Sequence, residues 1–454
     1  MRARAGAAGA IAAALLLTGC GGGGGEEAAA EVDFGAAASG TLAGWGFENT
    51  DDVGQARLDH AAAALEGLTV ELDQTAFDAQ KFTTLAASGD MPDVVQMDRQ
   101  FVPTYAAQGL LMPLDECFAA HEVDPAQHWY PNVAADVTWD EQLWAVPQFY
   151  QPPVILTNAR VMEEAGVSAD DLDASDPDAL IAAAEAMTVM DGSSVTRVGF
   201  DPQGVSKAAQ WMLAFGGGIV DEQGMPTLDR EENVAAAEFL QQLYEAQGGF
   251  AEVSGFIDSI DIFGDGNGYA NDLVGAAVFD QWYLNVLTPY ADEVEIGAVP
   301  MRDREGEPFT ASGGSSFVIP AGAQNPGAAC AWALELTTAD AWTAAAEARA
   351  TTEEEAERNG INTGLFTGSA ESDEMIRSEF ASADGYPGFE EAIAAYYDVA
   401  ALGTSIGASP AGQQVQSELE NAMSSALVGE ASPADALAAA QQAAMRAYDQ
   451  VSGG

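Results

Sequence analysis

Residues 82–96 read FTTLAASGDMPDVVQ, and the fold class turns on them. The segment 77–87 reads as a helix. Met91-Pro92 interrupts it, and 93–97 is a short apolar run of the kind that forms a buried strand. Upstream, 40–45 reads as a strand, 51–66 as a helix and 68–72 as a second strand. Val53, Ala56, Leu58 and Ala61 recur at roughly one helical turn in that first helix. Downstream, 101–109 is a helix stopped by Gly109. Short apolar strands alternating with helices are the signature of α/β architecture. The alternation continues with strands at 142–146, 154–157, 275–279, 295–299 and 315–319. Helices are expected at 160–165, 177–187 (with Asp176 as its cap), 207–215, 231–246, 328–336 and 339–349. The tail 413–448 holds two helical stretches parted by 429–433. No internal repeat at a fixed period is visible.

Composition narrows the function. The chain has 454 residues, 48% of them hydrophobic, which is enough for two or three domains with real cores. Its formal charge is 15 − 71 = −56. That excludes a protein held to nucleic acid or to a membrane by a basic surface. Three Cys and three His have the wrong spacings for a zinc framework, so no metal and no cofactor is expected. H-E-x-x-H, G-x-S-x-G and phosphate-loop patterns are absent. Only two residues are Lys, Lys81 and Lys207. The acid excess has two open readings, a self-repelling soluble surface and adaptation to salt.

The N-terminus reads as an address. Arg2 and Arg4 precede an apolar run over 7–17 that is too short for a permanent span. Leu17-Thr18-Gly19-Cys20 resembles the lipobox of bacterial lipoproteins, in which the Cys becomes the lipidated N-terminus. This implies a signal peptide at 1–19, lipidation of Cys20, and a flexible tether at 20–38 opening with Gly21 to Gly25. No later stretch reaches 18 apolar residues, so the membrane contact expected is the lipid alone, on the extracellular face. There Cys117 and Cys330 have two readings, a disulfide and a pair of buried thiols.

Four stretches, in order, resemble the extracellular solute-binding proteins of ABC importers, in the sugar-binding branch that includes maltose-binding protein. The first is the segment 82–96 quoted above. The second is YAAQGLLMPLD at 105–115. The third is WAVP at 144–147, then LTN at 156–158 and MEEAG at 162–166. The fourth is AAVFDQW at 276–282, then GGSSFVIPAG at 313–322 and NPGAA at 325–329. Two departures stand out. Leu156-Thr157 replaces the family's Tyr-Tyr before Asn158, and Asp280-Gln281 replaces its Gly before Trp282.

The resemblance implies a two-lobed periplasmic-binding-protein-like fold of the α/β class, with a hinge and an interlobe cleft. It implies lobe 1 at 39–148 plus 312–370 and lobe 2 at 149–311 plus 371–454. Hinge crossings would lie at 145–150, at 308–312 and near 370. The implied role is a non-catalytic, monomeric receptor for a small solute, a sugar or oligosaccharide, delivered to a permease. A polyol, phosphodiester or peptide as ligand remains open, and a glycan-active enzyme is the remote alternative.

A sugar needs flat rings for its C–H faces and paired donors and acceptors for its hydroxyls, placed in loops after strands. On that ground Trp45 and Glu48 are candidates after the first strand. Asp98 and Arg99 follow the third. Phe149 and Tyr150 sit at the first crossing, Trp211 on a helix beside Lys207, and Asp280 and Trp282 at the loop that matches the family's cleft. Gly313 and Gly314 offer backbone N–H groups at the second crossing, and Tyr386 lies in the third.

Overall fold

The computed structural model describes residues 32–47, 51–311, 313–351 and 358–452. In chain order its strands are β1 Gly40–Trp45, β2 Leu68–Asp73, β3 Val94–Asp98, β4 Thr138–Trp139, β5 Gln142–Leu143, β6 Val146–Pro147 and β7 Pro153–Asn158. There follow β8 Val189–Asp191, β9 Ser194–Asp201, β10 Val274–Asp280, β11 Ile296–Val299, β12 Thr310–Ala311, β13 Ser315–Val318 and β14 Gly403–Thr404. Two five-stranded sheets organise the chain. The first runs β2-β1-β3-β13-β6 and the second β11-β7-β10-β9-β8. Each carries its own helices and apolar core, so the α/β two-lobed expectation holds.

The opening motif has a physical reason. Its helix, Ala79–Ser88, ends at Gly89 in the left-handed conformation. Asp93 then accepts from Ala43 N in β1 and from Gln324 N and Asn325 N, at 2.7–2.9 Å. One carboxylate thus ties the start of β3 to β1 and to the NPG stretch that begins the helix Pro326–Glu335.

The hairpin β8–β9 has no counterpart in the sequence reading. Its pattern is interrupted by Arg197, whose Nε donates to Met187 O, and by Gly199. A Cβ at Gly199 would collide with the Ala184 carbonyl, because the helix Pro177–Met187 lies directly on β9. The glycine that weakens the strand pattern is what lets helix and strand approach. Asp176 caps that helix by accepting from Ala179 N, as expected.

The chain passes between the sheets in several adjoining stretches. Gln148 N donates to Ser315 O, Gln151 N to Gly313 O and Tyr150 N to Phe366 O. β12 pairs with β14 beside them. The helix Ala370–Glu379 packs on Ala339–Thr351, beside the first sheet. After the bridge between Asn362 and Ser382 the chain reaches the second sheet at the helix Pro387–Ala400.

Candidate functional site

Arg99 ties the crossings together. It follows β3 directly, is 2% exposed, and donates to Phe149 O and Gly313 O, both at 2.7 Å. Its Nε lies 3.3 Å from Asp136. Burial raises the Asp136 pKa, against the pull of Arg99 and of a bond from Ser405. Gly314 has φ +148°, and a Cβ there would strike Phe149 O and the Arg99 guanidinium. Only glycine fits at that point.

A second buried arginine stands on the other side of the crossing. Arg57 donates to Leu336 O and to Gln148 Oε1, both at 2.8 Å. Among the described residues no carboxylate accepts from it. Its Cζ instead lies 4.0 Å from the Trp342 ring and 5.2 Å from the Phe149 ring. Burial lowers its pKa to about 9, so it is charged at neutral pH.

Between the sheets lie two compartments that share Gln151. The first is a cavity of about 210 Å³. Asp98, Arg99, Gln100, Gly313 and Gly314 line it from the first sheet's side, and Ser206, Lys207, Gln210 and Asp280 from the second's. Lys207 precedes the helix Ala208–Ala214, and Asp280 ends β10. Their side chains meet at 2.6 Å, about one-fifth exposed each. No aromatic side chain among the described residues lines this cavity. Gln210 Oε1 and Gln416 Oε1 are buried acceptors without a partner among the described residues, and both side chains belong to its wall.

The second compartment measures about 220 Å³ and is different in kind. It is lined by Asp51, Phe149, Gln281, Trp282, Asn285 and Arg349, among others. Trp282 is 37% exposed and stacks on Phe263 with centroids 6.1 Å apart. Beside it, Gln281 Oε1 and Asn285 Oδ1 are buried without a partner among the described residues. Arg349 is already paired with Asp51 and Asp52.

The structure therefore gathers Asp98, Arg99, Asp280, Gly313 and Gly314 at one compartment and Phe149 and Trp282 at the other. It places four candidates elsewhere. Trp45 lies in the first core against Phe77, with Lys81 over its ring. Trp211 is fully buried between Phe200 and Phe239, its Nε1 donating to Pro202 O. Tyr150 is buried in the crossing, its hydroxyl donating to Ala400 O. Tyr386 bonds Asp292 at the start of the helix Pro387–Ala400 and lines neither compartment. For Trp45, Trp211 and Tyr150 packing claims the ring, whereas Tyr386 stays half-buried at the surface away from both compartments. Arg99 keeps its place in the wall, but its guanidinium is committed to two backbone carbonyls and Asp136.

Glu48 and Cys20 lie outside the described residues. Cys117 and Cys330 are joined by a disulfide, linking the helices Asp115–Ala120 and Pro326–Glu335. Among the described residues no group of three His, Cys, Asp or Glu is placed to hold a metal. No helix among them is long and apolar enough to cross a membrane.

Sequence reasoning missed Lys207, Gln151, Gln210, Gln281 and Asn285 as wall residues. Lys207 carried a signal, since only two lysines occur in 454 residues. The glutamines and Asn285 carried none, because amides are common on any polar surface.

A family model described as bacterial extracellular solute-binding protein matches residues 57–352, well over half of the chain. No curated sequence matches. Solved structures share the fold. CpMnBP1 with mannobiose bound superposes with a TM-score of 0.69 at 19% identity, over 89% of this chain and 99% of that one. A substrate-binding protein of Listeria monocytogenes in complex with cycloalternan gives 0.70 at 15% identity, over 91% and 99%. UgpB of Mycobacterium tuberculosis in complex with glycerophosphocholine gives 0.69 at 18%, over 91% and 99%.

Proposed function

The chain belongs to the bacterial extracellular solute-binding proteins, and from that premise we propose that it is a non-catalytic receptor for a sugar or oligosaccharide, bound in the two-compartment cleft. In this reading the protein is held to the extracellular face of the cell membrane through a lipid on Cys20. It acts as a monomer and passes its solute to the permease of an ABC importer. Closure of the two lobes on the solute is the signal the permease reads.

One observation carries the sugar assignment. Trp282 offers an exposed ring inside the cleft, backed by Phe263, beside two orphaned acceptors on Gln281 and Asn285. A sugar ring supplies what that surface lacks, a C–H face for the indole and hydroxyl donors for the two oxygens. Relatives of the same fold with mannobiose or cycloalternan bound support the reading. The relative with glycerophosphocholine bound marks the competing class.

Titration calorimetry of the purified chain with maltose, mannobiose, longer oligosaccharides, sorbitol and glycerophosphocholine tests it. Heat with at least one saccharide is expected. Trp282→Ala should weaken that binding at least tenfold, since stacking and burial of an indole are together worth about 1.5–3 kcal/mol. The unfolding temperature should barely move, because the ring is already part-exposed. Heat with glycerophosphocholine alone would overturn the sugar assignment and keep the receptor.

A further inference from the structure

The first compartment has no ring to stack on, and its chemistry asks for a different part of the solute. Lys207 and Asp280 dominate the wall from the second sheet's side, 2.6 Å apart and each about four-fifths buried. Of the two lysines in the chain, Lys81 is occupied with Asp73 at 2.9 Å near the edge of the first sheet. Lys207 is the one brought to the cleft.

We propose that Lys207 and Asp280 are a specificity-determining pair that reads two neighbouring hydroxyls of a neutral solute and turns away solutes carrying a net charge. The proposal rests on the receptor reading above and names the chemistry its ring-free compartment takes.

The valence count favours a diol. An ammonium has three donors, and one is used on Asp280. A carboxylate has about four acceptor sites. One hydroxyl of a diol accepts from Lys207 while the other donates to Asp280, and the net charge of the pair is unchanged. The orphaned oxygens of Gln210 and Gln416 in the same wall call for two further donors. Hydroxyl groups supply them, whereas a phosphate or carboxylate has only acceptors to give.

Charge points the same way. The wall carries Asp98, Asp136 and Asp280 against Arg99 and Lys207. Arg99 is committed to Asp136 and two carbonyls, so an anion entering here must take Lys207 from Asp280 and leave that carboxylate uncompensated beside it. A cation must displace or repel Lys207. In a part-desolvated site either contact is far stronger than in water.

The experiment uses the full chain and thermal shift with neutral, anionic and cationic probes at equal concentration. The neutral probes are maltose, mannobiose and sorbitol, the anions glucuronate and glycerol 3-phosphate, and the cation glucosamine. The wild type should shift only with neutral probes. Lys207→Met and Asp280→Asn should each weaken the effective neutral probe at least tenfold. Lys207→Met should also admit glucosamine, whose ammonium replaces the one removed. The double variant K207M/D280N keeps the charge balance, which guards against loss of fold, and should remain weak for neutral probes. Undiminished neutral binding in the double variant, or a wild-type preference for an anion, overturns the pair while leaving a receptor. A wild type indifferent to every neutral probe overturns the pair and the sugar reading together.

Discussion

The two compartments sit on either side of Gln151 and are backed by two buried arginines held in opposite ways. Behind the charged compartment, Arg99 faces a carboxylate, Asp136, and two carbonyls. Behind the aromatic one, Arg57 has a carbonyl, an amide oxygen and the faces of Trp342 and Phe149. The difference teaches what holds a buried cation. A charge partner makes both members dependent on each other, whereas rings and amides are neutral and tolerate its loss.

That contrast gives the largest expected effect. Arg99→Met leaves Asp136 buried with Ser405 as its one remaining partner among the described residues, and frees two carbonyls at the crossing. Removing one member of a buried ion pair costs about 3–5 kcal/mol. Arg57→Met leaves Leu336 O and Gln148 Oε1 unbonded but strands no charge, and should cost about 1–3 kcal/mol. Urea unfolding of both variants measures the difference. Equal losses would erase the distinction between the two backings.

A buried acid without an arginine sharpens the same comparison. Asp373 accepts from Thr367 N and Thr367 Oγ1, both at 2.7 Å, behind the stretch that pairs with Tyr150. Burial pushes its pKa up to about 7, and its neighbour Tyr130 is itself raised and stays neutral. The folded pKa lies above the unfolded value of 3.8, so the folded state holds a proton that the unfolded state has lost between those limits. Stability attributable to this group is therefore full below about pH 4, falls as pH rises through 7, and is level above it. The expected fall is about 2–4 kcal/mol. Asp373→Asn should flatten that slope in chemical denaturation from pH 4 to 8. An unchanged slope would mean the carboxyl is not the group responsible.

The fold was legible because its motifs are physical devices. Asp93 in the quoted segment stitches three parts of the first lobe, and its neighbours Pro92 and Gly89 mark the turn that puts it there. The cleft was legible only at strand ends, where Asp98, Asp280 and Trp282 stand. Trp45 and Trp211 misled because an aromatic near a strand end or on a helix satisfies the same pattern whether it faces solute or core. Only the packing of Phe77 or Phe239 on the ring separates the two. Gln281 and Asn285 were illegible for a different reason. What singles them out is an oxygen buried without a partner, and that is a property of the assembled wall.

Salt supplies the smallest and most discriminating test of the two compartments. At −56 the chain repels itself, and raising salt from about 0.1 to 1 M shortens the screening length from about 10 to about 3 Å. The unfolding temperature should rise by a few degrees as surface repulsion is screened; a flat response would remove the salt-adapted reading of the composition. Binding of a neutral sugar should behave otherwise. Stacking on Trp282 involves no charge, and Lys207 with Asp280 is largely shielded from the ions that do the screening. Calorimetric affinity for the effective saccharide should then change less than about twofold over the range in which the unfolding temperature climbs. A tenfold loss would mean that the screening ions reach Lys207 and Asp280, and would remove the shielded pair as the reader of the neutral solute.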